Sequence, residues 1–180
     1  MCGFRDSTAR IPLAPIAFGL VLSIAPMAGA TCISPCTRIA DLWDWVGSEL
    51  RIEGRAPPPR VRVMSPDALV TLYTGQPMRG TDSVSIVALY DRSQQAILLA
   101  EEWTPGEPAS ESIIVHELVH HAQALRGDRY PCLAASESEA YAIQDRWLRR
   151  SGQDLETSFG IDAFTLAIRG LCALESTDAP

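Results

Sequence analysis

The sequence contains no lysine and only three histidines, so its 15 basic residues are all arginines, set against 22 acidic residues. The formal net charge is -7. Proteins that bind nucleic acid present basic clusters to the phosphate backbone, and this acidic chain has no such patch. The composition therefore argues against a nucleic-acid partner. The chain also lacks internal repeats and low-complexity segments, and 180 residues are enough for one domain.

Residues 1–30 have the pattern of an export signal. Arg5 and Arg10 give a basic start, the apolar run IPLAPIAFGLVLSIAPM follows, and the segment ends in the small residues AGA. This order is typical of a secretory signal peptide, so we expect cleavage before Thr31. Residues 31–180 would then form a single periplasmic or extracellular domain with no stable membrane anchor. An uncleaved anchor is the alternative, but prolines interrupt the run and its small end residues favour cleavage.

Four cysteines remain in the expected mature chain: Cys32, Cys36, Cys132 and Cys172. An even number in an exported chain predicts two disulfides, for which three pairings are possible. We prefer Cys32 with Cys36, and Cys132 with Cys172. The second bond would tie the helix that begins near Cys132 to the C-terminal helix. Four free buried thiols are the alternative, and the spacings do not resemble a zinc ribbon or finger.

The predicted elements have the order of an α+β protein. Apolar residues at helical spacing predict a first helix over 36–50. A short strand over 61–64 and a helix that begins at Pro66 follow. The remaining predictions are an antiparallel strand pair over 85–91 and 95–103, a helix from its cap Ser110 to Gly127, a helix over 133–150 and a final helix over 162–174.

All three histidines fall within the stretch HELVHH of one predicted helix. Residues four apart share a helix face, so His116 and His120 can bind one metal ion, and Glu117 lies beside that face. This is the HExxH zinc pattern, with two nitrogen ligands and a general base. The apolar neighbours predict a buried helix, in which a metal would satisfy the histidines. Two surface histidines are the alternative. His121 lies about 100° away and is expected beside the site or at the surface.

A third ligand is expected on the next predicted helix, because a catalytic zinc takes three protein ligands and keeps a fourth position open. The stretch ESEAY offers Glu137 and Glu139 there. These two carboxylates are two residues apart, so they leave the helix in different directions and only one can easily reach the ion. The spacing alone leaves both candidates open.

HELVH followed by a helical ESEAY resembles the gluzincin zinc metallopeptidases, in which a glutamate from a second helix completes the site. Several gluzincin groups carry glutamate, two residues, alanine, then aspartate or asparagine. The resemblance makes Glu137 the third ligand, with Glu139 as the alternative. Tyr141 stands where the family has a polar residue that supports a histidine ligand or the helix, so it departs from the pattern. Its expected role is to support a ligand or to stabilise an oxyanion.

The resemblance covers roughly residues 84–150 and is nearest to the small minigluzincin type. It implies a zincin-like fold: a small β-sheet packed on the HExxH helix and on a second ligand-bearing helix, with N- and C-terminal helices. It also implies that Gln95–Glu101 is an edge strand that aligns a peptide; an ordinary core strand is the alternative. Tyr130 and Arg129, in the loop between the ligand helices, are candidates for oxyanion stabilisation or are plain loop residues. Trp103 is expected in the core or at a groove.

The preferred hypothesis is an exported zinc-dependent peptidase whose substrate is a peptide or protein. Zn²⁺ would activate a water, and Glu117 would be the general base. One alternative is a non-hydrolytic zinc-binding domain that binds a peptide or an envelope partner. Another is a small secreted module without metal, against which the histidine pattern argues. The intact Glu117 favours the peptidase, because a structural metal site does not need a base.

Overall fold

The computed structural model describes residues 35–52, 56–76 and 86–172. Those ranges contain six helices and three strands, which confirms the predicted α+β class. The elements in chain order are α1 (Pro35–Glu49), β1 (Arg60–Met64), α2 (Pro66–Thr74), β2 (Ala88–Asp91), β3 (Ala96–Ala100), α3 (Pro108–Arg126), α4 (Leu133–Arg149), α5 (Leu155–Phe159) and α6 (Ala163–Arg169).

The described sheet has the order β1-β3-β2, with β1 parallel and β2 antiparallel to β3. All five residues of the central strand β3 are buried. Leu98 packs with Leu69 of α2 on one face of the sheet. Ile97 and Leu99 pack on the other face with α1 and α3. A strand covered on both faces has a continuous apolar sequence, which explains the run AILLA.

The expectation that Gln95–Glu101 forms an edge strand is wrong. β3 is paired on both sides, so its backbone groups are already hydrogen-bonded and no peptide can add to it. The edges of the described sheet are β1 and β2. β2 packs against α3, which carries the histidines. The edge next to the candidate site is therefore Ala88–Asp91.

The histidine-bearing helix α3 runs through the main core, with Ile114, Val115, Leu118 and Val119 buried around it. The prediction that Ser110 is the cap of this helix is wrong. Its cap is Glu107 and its first residue is a proline, which suits this position because it lacks an N–H and has its φ fixed near the helical value. The helix ends before Gly127, as predicted; Gly127 has φ 71°, in the left-handed region.

The final helix predicted over 162–174 begins as predicted, at its cap Asp162, but this helix, α6, ends at Arg169, and a further short helix, α5, precedes it. Each has an aspartate cap: the side chains of Asp154 and Asp162 accept a hydrogen bond from the backbone N–H three residues later. Such caps fix the start of a helix. Gly160, in the left-handed conformation, ends α5 and turns the chain into α6.

Cys132 and Cys172 form a disulfide with a Cα–Cα distance of 5.7 Å. The bond ties Cys172, three residues after the end of α6, to the residue that precedes α4, as expected. The other predicted pair involves Cys32, and the predicted leader covers 1–30; both lie outside the described residues. Within the described ranges, no helix has the length and apolar character that a membrane span needs. The disulfide and this finding are compatible with an exported protein.

A buried ion pair joins α1 to α3. The Glu111 side chain is 3% exposed and lies in the core-facing part of α3. Arg38 binds it with two nitrogens, and the Nη2–Oε2 distance is 2.6 Å. The backbone N–H of Gly106 donates to the same carboxylate. The pKa of Glu111 is lowered, because these hydrogen bonds outweigh the opposing effect of burial.

We expect Glu111→Gln to lower the free energy of unfolding by about 2–3 kcal/mol. The substitution keeps the shape and leaves the Arg38 guanidinium with only the more distant and more exposed Asp41 carboxylate, 4.0 Å away. Loss of one partner costs roughly 3–5 kcal/mol in fully buried pairs, and Arg38 retains some solvent contact. Urea denaturation measures the change. The control is Arg146→Gln, which breaks an exposed pair with Glu49 and should cost less than about 1 kcal/mol. Equal losses in both variants would show that the Arg38 pair is no more important than a surface contact.

Candidate metal centre

His116, His120 and Glu137 meet where α3 lies against α4. His116 Nε2 is 3.0 Å from Glu137 Oε2, and His120 Nε2 is 3.3 Å from Glu137 Oε1. The two Nε2 atoms are 3.2 Å apart. The three side chains form a group that could hold a metal ion. Glu137 remains 29% exposed, so the group is open to solvent on one side.

The spacing of the donor atoms of these three side chains suits a tetrahedral ion. Zinc bonds of 2.0–2.2 Å at tetrahedral angles place neighbouring ligand atoms about 3.3–3.5 Å apart. The measured separations, which involve both Glu137 oxygens, are 3.0, 3.2 and 3.3 Å, at or slightly below that range. An ion would therefore need only a small outward movement of the side chains. Three protein ligands would leave one coordination position free.

A buried glutamine fixes the orientation of His120. Gln123 is 1% exposed, and its Nε2 donates to the backbone carbonyl of Ser136 over 2.9 Å. A carbonyl can only accept, so this contact identifies the amide nitrogen. The amide oxygen Oε1 must then be the atom 2.9 Å from His120 Nδ1. It accepts the Nδ1–H, which leaves a lone pair on His120 Nε2.

A second buried glutamine fixes His116 in the same way. Ser112 Oγ lies 2.7 Å from the Ala109 carbonyl and donates its proton there. Ser112 Oγ must therefore accept from Gln144 Nε2, 3.2 Å away. The Gln144 oxygen is then the atom 3.0 Å from His116 Nδ1, whose N–H it accepts. His116 Nε2 is left with a lone pair, like its partner on His120.

The two glutamines therefore orient both imidazole lone pairs toward each other and toward the Glu137 carboxylate. Such a set of acceptors repels itself unless a cation or added protons lie between them. The pKa values of these groups also indicate that the site needs positive charge. Burial would raise the pKa of Glu137, but the hydrogen bonds and charges of His116 and His120 lower it to about 2. Burial would lower the pKa of His120, but its contacts with Glu137 and Glu117 raise it.

Glu117 is the acidic neighbour of this group. It is 9% exposed, and burial raises its pKa above the usual value. Positive charge on His116 and His120 and the backbone amide of Tyr90 act in the opposite direction. A carboxylate with a raised pKa in a partly closed site is a better proton acceptor than a solvent-exposed carboxylate.

His121 is buried, at 2% exposed, and it does not belong to the metal group. Its Nε2–H donates to the Pro57 carbonyl over 3.2 Å, because that oxygen can only accept. Its Nδ1 therefore accepts from the Tyr90 hydroxyl, 2.9 Å away. The pKa of His121 is lowered by burial. The residue connects α3 to the edge strand β2, whose Tyr90 amide lies against Glu117.

Glu139, the alternative third ligand, leaves α4 on another side. Its carboxylate pairs with Arg126 and accepts from Gln123 Nε2 at 3.1 Å. It therefore lies behind His120 and supports the glutamine that orients this ligand. The loop residue Tyr130 donates to Asp128. Arg129 is exposed. Among the described contacts, neither loop residue touches the three-residue group.

Tyr141 does reach the group. Its ring lies edge-on against His116, with 4.6 Å between the ring centroids. Trp103 lies in the main core instead, where its Nε1 donates to the Ser110 carbonyl.

Sequence reasoning missed the two glutamines. The signal for Gln123 was present, because it follows His120 by three residues and so lies on the same side of the helix. Gln144 is on α4, 28 residues from its histidine, and only the packing of two helices brings them together.

The fold and the three-residue group define an α+β protein with a candidate metal site on two neighbouring helices. A family model described as a domain of unknown function, DUF6647, matches residues 33–174. The match spans most of the chain, which therefore belongs to this family. No curated protein and no solved structure matches. The function therefore has to follow from the chemistry of the site.

Proposed function

We propose that the chain is an exported zinc-dependent peptidase with a zincin-like, gluzincin-type site. The observation that carries this proposal is the orientation of two imidazole lone pairs and the Glu137 carboxylate toward one point beside Glu117. A purely structural site is normally closed by four protein ligands. Here three ligands are open to solvent, and a buried carboxylate lies beside them.

Zinc is the ion that this donor set suits best. Two imidazoles and one carboxylate at tetrahedral spacing match a catalytic zinc site, whereas Mg²⁺ and Ca²⁺ prefer six or more oxygen ligands. The residues that would hold the ion are His116, His120 and Glu137. When bound, zinc supplies a polarised water whose pKa is near 7.

Glu117 would carry the proton in the reaction. Its carboxylate accepts a proton from the attacking water, and then donates it to the nitrogen of the leaving amine. The raised pKa suits this double role, because the group must both accept and release within one turnover. The backbone amide of Tyr90, in the edge strand β2, also acts on this carboxylate and moderates the rise of its pKa.

The outer side of β2 is the place where a substrate backbone would bind. The Val87 carbonyl accepts from the Ala100 N–H of the neighbouring chain segment. The alternation of an antiparallel pair then points the peptide groups of Ala88 and Tyr90 away from β3. An extended peptide could add to this edge by backbone hydrogen bonds, beside Glu117. Backbone recognition would make the sequence of the substrate less important than its extended form.

We expect Gln144→Met to weaken zinc binding by about 10- to 100-fold, the usual cost of losing a group that orients a ligand. Methionine has a similar length but cannot accept the His116 Nδ1–H as an amide oxygen does. Competition with a chromophoric zinc chelator measures the affinity. The matched control is Gln153→Met, outside the site, which should leave zinc affinity unchanged. If the Gln144 variant binds zinc as tightly as the wild type, the glutamine does not fix the tautomer.

The proposed activity is tested by digesting a broad peptide library with the zinc-loaded protein. Parallel samples contain a chelator, and a third set receives zinc after the chelator is removed. We expect cleavage that the chelator abolishes and zinc restores. Zinc binding without any cleavage would favour the alternative of a non-hydrolytic domain that binds a peptide or an envelope partner. Cleavage that survives complete metal removal would contradict the proposal.

A further inference from the structure

Tyr141 and Arg169 form a contact pair at the rim of the candidate site that the reaction above does not use. Arg169 Nη1 donates to the Tyr141 hydroxyl, and the Arg169 guanidinium also lies over the tyrosine ring, 5.5 Å from its centroid. The ring in turn packs edge-on against His116. The last described helix, α6, thus reaches the metal group through one tyrosine.

The direction of this hydrogen bond leaves the Tyr141 proton available. A guanidinium has only donors, so the phenol oxygen accepts and its own O–H must point elsewhere. Within the described residues, the Tyr141 hydroxyl has no second hydrogen-bond partner. A phenol that accepts from a cation becomes a better donor, since hydrogen bonds in a chain polarise one another. The pair is therefore an oriented donor at the edge of an open site.

Tyr141 also lies on the correct side of α4. It follows Glu137 by four residues, so both side chains share one helix face. Side chains on a helix lean toward its N-terminus, which tilts Tyr141 toward the turn that carries Glu137. Tyr141 is half-buried, whereas Arg169 is exposed. The phenol therefore stands between the metal ligands and solvent.

Two features hold Arg169 in place. α6 packs closely on α4 at Gly170, where an added Cβ would lie 2.5 Å from Ser138 Oγ. The Cys132–Cys172 disulfide then fixes the end of this segment to the start of α4. None of the residues of α6 is buried, so these contacts account for its position better than a core would.

We propose that Tyr141 is a catalytic residue that donates a hydrogen bond to the oxyanion formed from the substrate carbonyl, and that Arg169 is its positioning residue. The proposal rests on the proposed function, because an oxyanion forms only if the site attacks a carbonyl. A donor aimed at developing charge stabilises the transition state more than the ground state, and loss of one such donor costs about 10²–10³ in turnover. The effect should therefore fall on kcat and leave KM nearly unchanged.

The test compares the wild type with Tyr141→Phe, which removes the hydroxyl and keeps the ring against His116. The probe is a phosphinic alanine tetrapeptide, whose tetrahedral phosphorus carries oxygens where the oxyanion would lie. Calorimetry on zinc-loaded protein gives its affinity without requiring any cleavage. We expect at least about 10-fold weaker binding to Tyr141→Phe, with zinc affinity and the melting temperature unchanged.

The role of Arg169 is tested by a double-mutant cycle. Arg169→Gln should weaken binding of the phosphinic peptide in the wild-type background and have no further effect in the Tyr141→Phe background, because it acts through the phenol. Arg169→Lys should restore part of the loss. Equal effects of Arg169→Gln in both backgrounds would overturn the positioning role and assign Arg169 a direct contact with the peptide.

Equal affinity of the probe for wild type and Tyr141→Phe would overturn the catalytic role of Tyr141. Failure of the probe to bind zinc-loaded wild type would overturn it as well, because a site with this donor must accept a tetrahedral oxygen. The library digest decides the proposed function separately. If the wild type cleaves peptides and Tyr141→Phe keeps its full kcat, the peptidase proposal stands and the proposed role of Tyr141 is overturned.

Discussion

Replacing Glu117 by glutamine is expected to lower peptide turnover by about 10²- to 10⁴-fold, the usual contribution of a general acid–base. Glutamine has nearly the same shape, so the packing of α3 should survive. Neither ligand histidine loses a hydrogen bond, because their Nδ1 atoms are held by Gln123 and Gln144. The variant lacks only the group that accepts and returns the proton.

The measurement is kcat and KM for one peptide taken from the library digest, together with zinc content and a melting curve. The matched control is Glu102→Gln, an exposed carboxylate outside the site, which should keep wild-type turnover. We expect the loss in kcat, with KM changed far less. Wild-type turnover in Glu117→Gln, with zinc still bound, would show that another group is the base.

The second large effect is expected for the third ligand. Glu137→Gln should weaken zinc binding by more than about 10²-fold, because loss of a ligand exceeds the cost of losing a group that merely orients one. The substitution keeps the shape of the side chain but removes the charge that balances the ion. The lowered pKa of Glu137 shows that its carboxylate is ionised in the presence of the two histidines.

Glu139→Gln is the matched control for this ligand. It lies two residues away on the same helix and makes the same chemical change. Its carboxylate contacts Arg126 and Gln123 and lies outside the metal group, so we expect less than about a 10-fold change in zinc affinity. If Glu139→Gln loses zinc and Glu137→Gln keeps it, the third ligand is Glu139 and not Glu137.

The features that the sequence predicted well depend on local spacing. His116 and His120 share a face because they are four residues apart on a helix, and this needs no knowledge of the rest of the chain. The antiparallel pairing of β2 and β3 was also predictable, since two apolar runs with only a short polar segment between them favour a hairpin.

The features that it predicted poorly depend on packing between distant segments. The position of β3 in the sheet follows from the parallel pairing with β1, which lies far away along the chain. The apolar run AILLA is compatible with a strand buried on both faces, but the run alone does not separate a central strand from an edge strand. The contact between Gln144 and His116 likewise requires the packing of α4 on α3. Neither relation has a local signal of its own.

The C-terminal helices differ from the prediction, although a local sequence signal marks where each of them begins. The caps Asp154 and Asp162 were visible in the sequence as two aspartates, each followed three residues later by threonine. Such a pattern marks the start of a helix. The predicted final helix uses only the second of these starts and runs past Gly170, although α6 ends at Arg169. The contact of Arg169 with Tyr141 depends on how α6 packs on α4. The spacing of the metal ligands in the sequence therefore could not predict it.

The measurement that tests the central claim most directly is anomalous diffraction at the zinc edge from crystals of the protein purified without added chelator. The account predicts one peak, at about 2.0–2.2 Å from His116 Nε2, His120 Nε2 and an oxygen of Glu137. It also predicts that Gln123 and Gln144 remain bound to the Nδ1 atoms. No peak, or a peak at another group of residues, would contradict the claim that this chain holds a catalytic metal.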